Sequence, residues 1–279
     1  MSTETPLLIT VAPTGAETCK QTHPQLPTTP REILDTARSC EQAGAGLIHV
    51  HLRDDEHRST LNLERAREVV GLLRAETSLV VQISTGGSVH DSFDDRLAVL
   101  EAGAESCSLS MGTLNFGGEV FLNPWGFIVD LYQGTQELGI VPEFELFDLG
   151  QVHALGRLIS EHGRPAGGRI HADIVMNVPG GVPGTPAALL AAVQCLTQEV
   201  DSWSATGIGR ATIPVALAAL SLGGHLRVGM EDVLTFAPGR PVQHNRELVE
   251  RAAGLGRLAQ RPPMDGAGAR QLLNVKPAV

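Results

Sequence analysis

Two histidines one residue apart, His49 and His51, lie in the run Gly46-Leu-Ile-His-Val-His-Leu-Arg53, and a Glu231-Asp232 pair ends the distant run His225-Leu-Arg-Val-Gly-Met-Glu-Asp232. A strand repeats every two residues, so both imidazoles of a His-x-His triplet project to one face with roughly 7 Å between their α-carbons. That separation lets them share one ion. Two neutral imidazoles and a carboxylate from another strand make a three-ligand site with its fourth position open, the arrangement of a catalytic rather than a structural zinc. The same period puts Arg227, Gly229 and Glu231 on one face of the later strand. Glu231 is therefore the expected third ligand. Asp232, at the last residue of that strand, is expected to turn toward a substrate as a base, and Arg227 either orients it or holds a substrate carboxylate. Imidazole with carboxylate also suits iron, manganese or nickel, but zinc is the expected metal. A cation of this kind polarises a ketone or carboxylate oxygen and stabilises an enolate. Taken singly, a histidine of this kind reads more readily as a satisfied polar group inside a barrel; the coincidence of His-x-His with a terminal Glu-Asp points to a metal.

Elements that could hold such residues recur along the chain. Short apolar runs expected as strands (Leu7–Val11, Leu47–Leu52, Leu79–Ser84, Ser106–Met111, Pro142–Phe147, Arg169–Met176, Ser202–Thr206 and Leu226–Met230) alternate with amphipathic helical patterns. One helix is expected from Pro30 to Ala43, with Thr29 as cap, proline in the first turn and Gly44 as the stop. Others are expected from near Leu61, over Ser92–Ala102 and Pro124–Leu138, and around Leu155, Leu189, Leu217 and Leu248. Eight such units in 279 residues predict an α/β protein, a closed (β/α)8 TIM barrel formed as a single domain over residues 1–279. Only the first strand would then separate the eighth from the second. Glycine and proline cluster after the strands, as in Thr85-Gly-Gly and Asn177-Val-Pro-Gly-Gly, at the barrel end where such enzymes do chemistry.

Composition excludes several classes. Against 31 acidic residues stand 21 Lys and Arg, a net charge of −10 that would repel a nucleic-acid backbone. The longest apolar runs, such as Ile213 to Leu222, fall short of the roughly 20 residues needed to cross a bilayer. The first residues lack the basic and apolar regions of a signal peptide, and four scattered cysteines form no Cys-x-x-Cys pair, so a cytoplasmic protein is expected.

The segments Ala12-Pro-Thr-Gly-Ala-Glu17, His49-Val-His51-Leu-Arg53-Asp54, Ser84-Thr-Gly-Gly87, Met111-Gly-Thr-Leu-Asn-Phe-Gly117, Pro142-Glu143-Phe-Glu145 and Val228-Gly-Met-Glu231-Asp232 together resemble the β-keto acid cleavage enzymes. The likeness runs nearly end to end and includes the late Asn245-Arg-Glu-Leu-Val segment. The resemblance implies a zinc-dependent TIM barrel, a homotetramer, in which a β-keto acid and acetyl-CoA yield acetoacetate and the CoA thioester of the remaining acyl group by a retro-Claisen step. It implies zinc on His49, His51 and Glu231, with Asp232 as the base assisted by Arg227. Ser84 and Ser108 are expected to hold substrate or a tetrahedral oxygen, although around Ser84 and Thr85 either hydroxyl fits. Of Glu143 and Glu145, which share a strand face, Glu143 is the expected pocket residue. Glu17 would face the variable end of the substrate and favour a cationic group there. No Walker-type phosphate loop occurs, so the CoA phosphates would need loop arginines that the sequence does not single out. Two other readings fit the same residues: a zinc-dependent aldolase or hydrolase on this barrel working without CoA, and a binding or structural protein whose histidines are merely packed.

Overall fold

The computed structural model describes residues 6–276. Eight parallel strands close into a barrel in chain order: β1 (Ile9–Val11), β2 (Leu47–Val50), β3 (Val80–Ile83), β4 (Ser106–Ser110), β5 (Val141–Leu146), β6 (His171–Met176), β7 (Ser202–Gly207) and β8 (His225–Val228). The expected α/β (β/α)8 barrel is what this chain forms, and β1 pairs with both β8 and β2. Around it run α1 (Pro30–Ala43), α2 (Leu63–Glu76), α3 (Phe93–Ala98), α4 (Trp125–Leu138), α5 (Leu149–His162), α6 (Pro186–Cys195), α7 (Thr212–Ser221), α8 (Asn245–Leu258) and α9 (Gly266–Leu273). None of the described helices is long and apolar enough to cross a membrane.

Local sequence explains the outer helices. In α1, the Thr29 hydroxyl accepts from the Glu32 amide at 3.2 Å while the Glu32 carboxylate accepts from the Thr29 amide at 3.1 Å, a reciprocal cap that satisfies two otherwise orphaned donors. Ile33, Leu34, Ala37 and Cys40 then form its buried stripe, and Gly44 ends it at φ 112°.

Three differences from the sequence-based expectations bear on the site. The second strand stops at Val50, and Leu52-Arg53 instead pair antiparallel with Ser59-Thr60. The eighth stops at Val228, where the amides of Asp232 and Val233 both donate to the Gly229 carbonyl at 3.0 Å. Glu231 and Asp232 therefore sit on a tight turn, not at the end of a strand. The segment Ser92–Ala102 is α3 followed by a 3₁₀ turn over Val99–Ala102. Further hairpins, Leu114–Phe116 with Glu119–Phe121 and Thr235–Ala237 with Arg240-Pro241, rise beyond β4 and β8, and α9 has no counterpart among the expected helices.

That last helix closes the amino end of the barrel. Leu8, Leu47, Val80 and Val141 pack there against Met264, Ala269 and Leu273. One pleat period further along the same strands the side chains become Thr10, His49, Gln82 and Glu143, all buried. The interior thus changes from an apolar plug to a polar chamber over two residues.

Candidate functional site

At the carboxyl end of the barrel the paired histidines meet the downstream glutamate. His51 Nε2 lies 3.6 Å and His49 Nε2 lies 3.9 Å from Glu231 Oε1. The ligand atoms of all three residues fall within 4.8 Å of one another, so this triad could hold a metal ion. Glycine makes the approach possible. A Cβ on Gly229 would lie 1.8 Å from the Ala12 carbonyl oxygen, and one on Gly15, where φ is +66°, would lie 2.7 Å from Glu231 Cγ. With both positions bare, the Glu231 amide donates to Ala12 O at 3.2 Å and the side chain is delivered toward the imidazoles.

The histidines are also oriented from below. Gln82 is the register partner of His49 on β3, and its Oε1 accepts from His49 Nδ1 at 2.6 Å, which leaves Nε2 unprotonated and turned to the site. Burial, helped by the Arg227 charge, pulls His49 down to about 4, so the ring is neutral at physiological pH as a ligand must be. Burial acts on Glu231 in the opposite sense, but Arg227 and both histidines outweigh it and hold that carboxylate well below its ordinary range. Glu231 Oε2 is buried with no hydrogen-bond partner among the described atoms. Two imidazoles and an ionised carboxylate with one uncommitted buried oxygen fit a divalent cation.

Arg227 organises three acids. Its Nη1 donates to Glu145 Oε1 at 3.0 Å and its Nη2 to Asp232 Oδ1 at 3.0 Å and to Glu231. The guanidinium is therefore committed to the protein, which supports orientation of Asp232 rather than capture of a substrate carboxylate. One cation cannot offset three acids of which two, Glu145 and Asp232, are buried. While Glu231 stays ionised, burial pushes Asp232 and Glu145 each up to about 7. A carboxyl poised there is suited to taking and returning a proton near neutral pH.

These groups face a cavity of about 270 Å³ with two unlike sides. From β8, β1 and β2 come Asp232, Glu231, Glu17 and His51; from β4 to β7 come Phe116, Phe121, Phe147, Val175 and Ile208. Ser84 and Glu17 are both on the cavity lining. Glu17 is exposed on the loop after β1, which Arg53 clamps through Gly15 O at 2.6 Å and Thr18 O at 2.8 Å. Ser84 is separated from Thr85 by geometry: Thr85 Oγ1 is spent on Ser108 O at 2.7 Å, while Ser84 accepts from the Gly86 amide at 3.2 Å.

Ser108 and Glu143 require correction. They are register partners on β4 and β5, and neither lines the cavity. Glu143 instead faces His171, Oε2 to Nε2 3.3 Å, in the buried middle of the barrel. The two-residue period correctly puts Glu143 and Glu145 on one face, but they differ in height by roughly 7 Å, and the upper one reaches the pocket. Sequence reasoning misses Gln82, whose only signal is a lone amide inside an apolar strand. It also misses the aromatic wall, whose residues come from separate loops.

Comparison with known proteins gives the chain a family. The profile of the β-keto acid cleavage enzymes matches residues 6–275. This chain belongs to that family. As a member it is an acyl-transferring enzyme that cleaves a carbon–carbon bond. It is 35% identical over 275 residues to the 3-keto-5-aminohexanoate cleavage enzyme of Acetoanaerobium sticklandii, covering 96% of this chain and 98% of the relative. To the 3-oxoadipate:acetyl-CoA acetyltransferase of Cupriavidus necator it is 30% identical, covering 97% and 95%. Among solved structures, ObcA in ternary complex with a C4-CoA adduct and oxalate shares the fold with a TM-score of 0.73 and 20% identity, over 90% of this chain and 68% of that one.

Proposed function

We propose that this chain is a zinc-dependent enzyme that condenses a β-keto acid with acetyl-CoA, releasing acetoacetate and the CoA thioester of the remaining acyl group. One observation carries this reading: the His49, His51 and Glu231 donor set lies within 4.8 Å, directly beside the Asp232 carboxyl that Arg227 holds. Zinc bound there would supply Lewis-acid polarisation of the keto oxygen and so acidify the carbon between the two carbonyls.

The remaining chemistry belongs to the chain and its substrates. Asp232 takes a proton from that carbon, and Arg227 keeps the carboxylate aimed at it. The carbanion attacks the acetyl thioester, a carbon–carbon bond forms, and CoA leaves as a thiolate. The thiolate adds to the original keto carbon. The bond from that carbon to the former nucleophile then breaks, giving the new thioester and the enolate of acetoacetate, which recovers its proton from Asp232. Ser84, with its oxygen already accepting from Gly86, has its O–H left to donate to an oxygen that gains charge.

Glu17 at the exposed lip favours a cationic group on the substrate, in keeping with the amino-bearing substrate named for the relative at 35% identity rather than the diacid named for the one at 30%. The test is a panel of β-keto acids with acetyl-CoA, scored for acetoacetate. Acetoacetate formed in step with a new acyl-CoA is the expected result. Consumption of a β-keto acid at full rate without any thioester would reject the proposal in favour of a CoA-independent aldolase or hydrolase.

A further inference from the structure

Arg96, on α3, is buried at 2% exposure, and its hydrogen bonds go to neutral oxygens. Its Nε donates to Thr85 O at 2.7 Å, Nη1 to Leu122 O at 2.8 Å and Nη2 to Asn123 Oδ1 at 2.6 Å. Its guanidinium carbon also lies 4.5 Å from the Phe127 ring centroid and 4.8 Å from that of Phe121. Burying a cation whose hydrogen bonds all go to neutral oxygens is costly, although the Asp91 and Glu145 charges offset part of it, and only a planar, rigid fork can meet acceptors in three directions while stacking on rings. Burial pulls this guanidinium down to about 10, which still leaves it charged at neutral pH.

The acceptors belong to two separate pieces of the rim. Thr85 is in the turn that presents Ser84 to the cavity, and Leu122-Asn123 end the hairpin that presents Phe121. The pieces touch: a Cβ on Gly86 would lie 3.3 Å from Phe121 Cζ and 3.5 Å from Ser84 Oγ. Asn123 passes the connection on, donating through Nδ2 to Gly112 O at 3.2 Å and through its amide to Thr113 Oγ1 at 2.8 Å.

We infer that Arg96 is a positioning residue that fixes the Ser84 turn and the Phe121 hairpin relative to each other, and through them sets the shape of the cavity on its aromatic side. It touches no reacting atom. Its role in selectivity rests on the acyl-transfer reading above, whereas its role in bracing the two segments does not.

The experiment separates these. Arg96→Lys keeps the charge and loses the fork, and remains interpretable should Arg96→Met fail to fold. Amide hydrogen exchange is expected to rise about tenfold in both residues 84–87 and 112–123, with the rest of the barrel unchanged. The ratio of kcat/KM between β-keto acids differing by two carbons in the acyl chain is expected to shift about tenfold or more, because small misplacements at a reacting centre are amplified. In a Ser84→Ala background the same change should cost less than it does alone. Unchanged exchange in either segment overturns the bracing role. An equal loss for every substrate, or a cost that simply multiplies with Ser84→Ala, overturns the selectivity role. A wild-type protein inactive on every β-keto acid would reject the acyl-transfer reading, and the exchange data would still decide the bracing role.

Discussion

The two ends of this barrel are built from the same strands, and they do opposite things. At the amino end Leu47, Val80 and Val141 meet α9 in an apolar plug; two residues later the same strands carry His49, Gln82 and Glu143, and two residues after that His51, Ser84 and Glu145. Burying an unpaired polar group costs a few kcal/mol, and most of these atoms find partners within the barrel, as His49 does in Gln82, while Thr10 Oγ1 and the Glu143 carboxylate have no hydrogen-bond partner among the described atoms. The difference teaches that stability and chemistry are separated by height along the strands. Core packing at one end lets the other concentrate Glu145, Arg227, Glu231 and Asp232 around one cavity.

Asp232→Asn should break the chemical end with the largest effect. Loss of a general base lowers rate about 10²- to 10⁴-fold, and kcat should fall on that scale while metal content is unchanged. The sign of the pH dependence follows from the raised carboxyl. A base near 7 is active when deprotonated, so wild-type kcat/KM should fall as pH drops below about 7, and this acid limb should vanish in the variant. Leu47→Ala tests the other end: it should cost about 2–5 kcal/mol in unfolding free energy yet leave kcat/KM of the folded enzyme unchanged. A proportional loss of activity would erase the distinction between the ends. Gln82→Leu lies between the two layers, and chelator competition should show metal affinity reduced about 10- to 100-fold as His49 loses its orienting acceptor. Glu17→Gln, at the exposed lip, should produce the smallest effect, a few-fold fall in the preference for cationic over neutral β-keto acids, because exposed charges contribute little.

Much of this division is legible in the amino-acid sequence. The period of two in His49-Val-His51, and eight apolar runs spaced by helical patterns, fit a closed parallel barrel better than an open sheet and put both imidazoles on its inner face. The period says which face a residue takes and nothing about its height, so Glu143 and Glu145 are ranked only by the pairing of Ser108 with Glu143, which fixes the layer. Glu231 reaches the site by a different route from the one its spacing suggests. A turn at Gly229 and a bare Cα at Gly15 bring it in, and these are close approaches between segments more than 200 residues apart. The helix α9 is illegible because two glycines and the preceding Pro262-Pro263 speak against it. It forms because Asp265 caps it, Ala269 and Leu273 plug the barrel, and Arg270 reaches Glu105 at 2.7 Å.

The central claim is that an imidazole on β2, a second one just past its end and a carboxylate from the turn after the last strand grip one divalent ion. Metal analysis of the purified protein after zinc reconstitution, run beside His49→Ala and Glu231→Gln, tests it most directly. The account predicts one zinc per chain in the wild type and its loss from both variants. A wild-type chain that holds no stoichiometric ion, or variants that keep theirs, would contradict it.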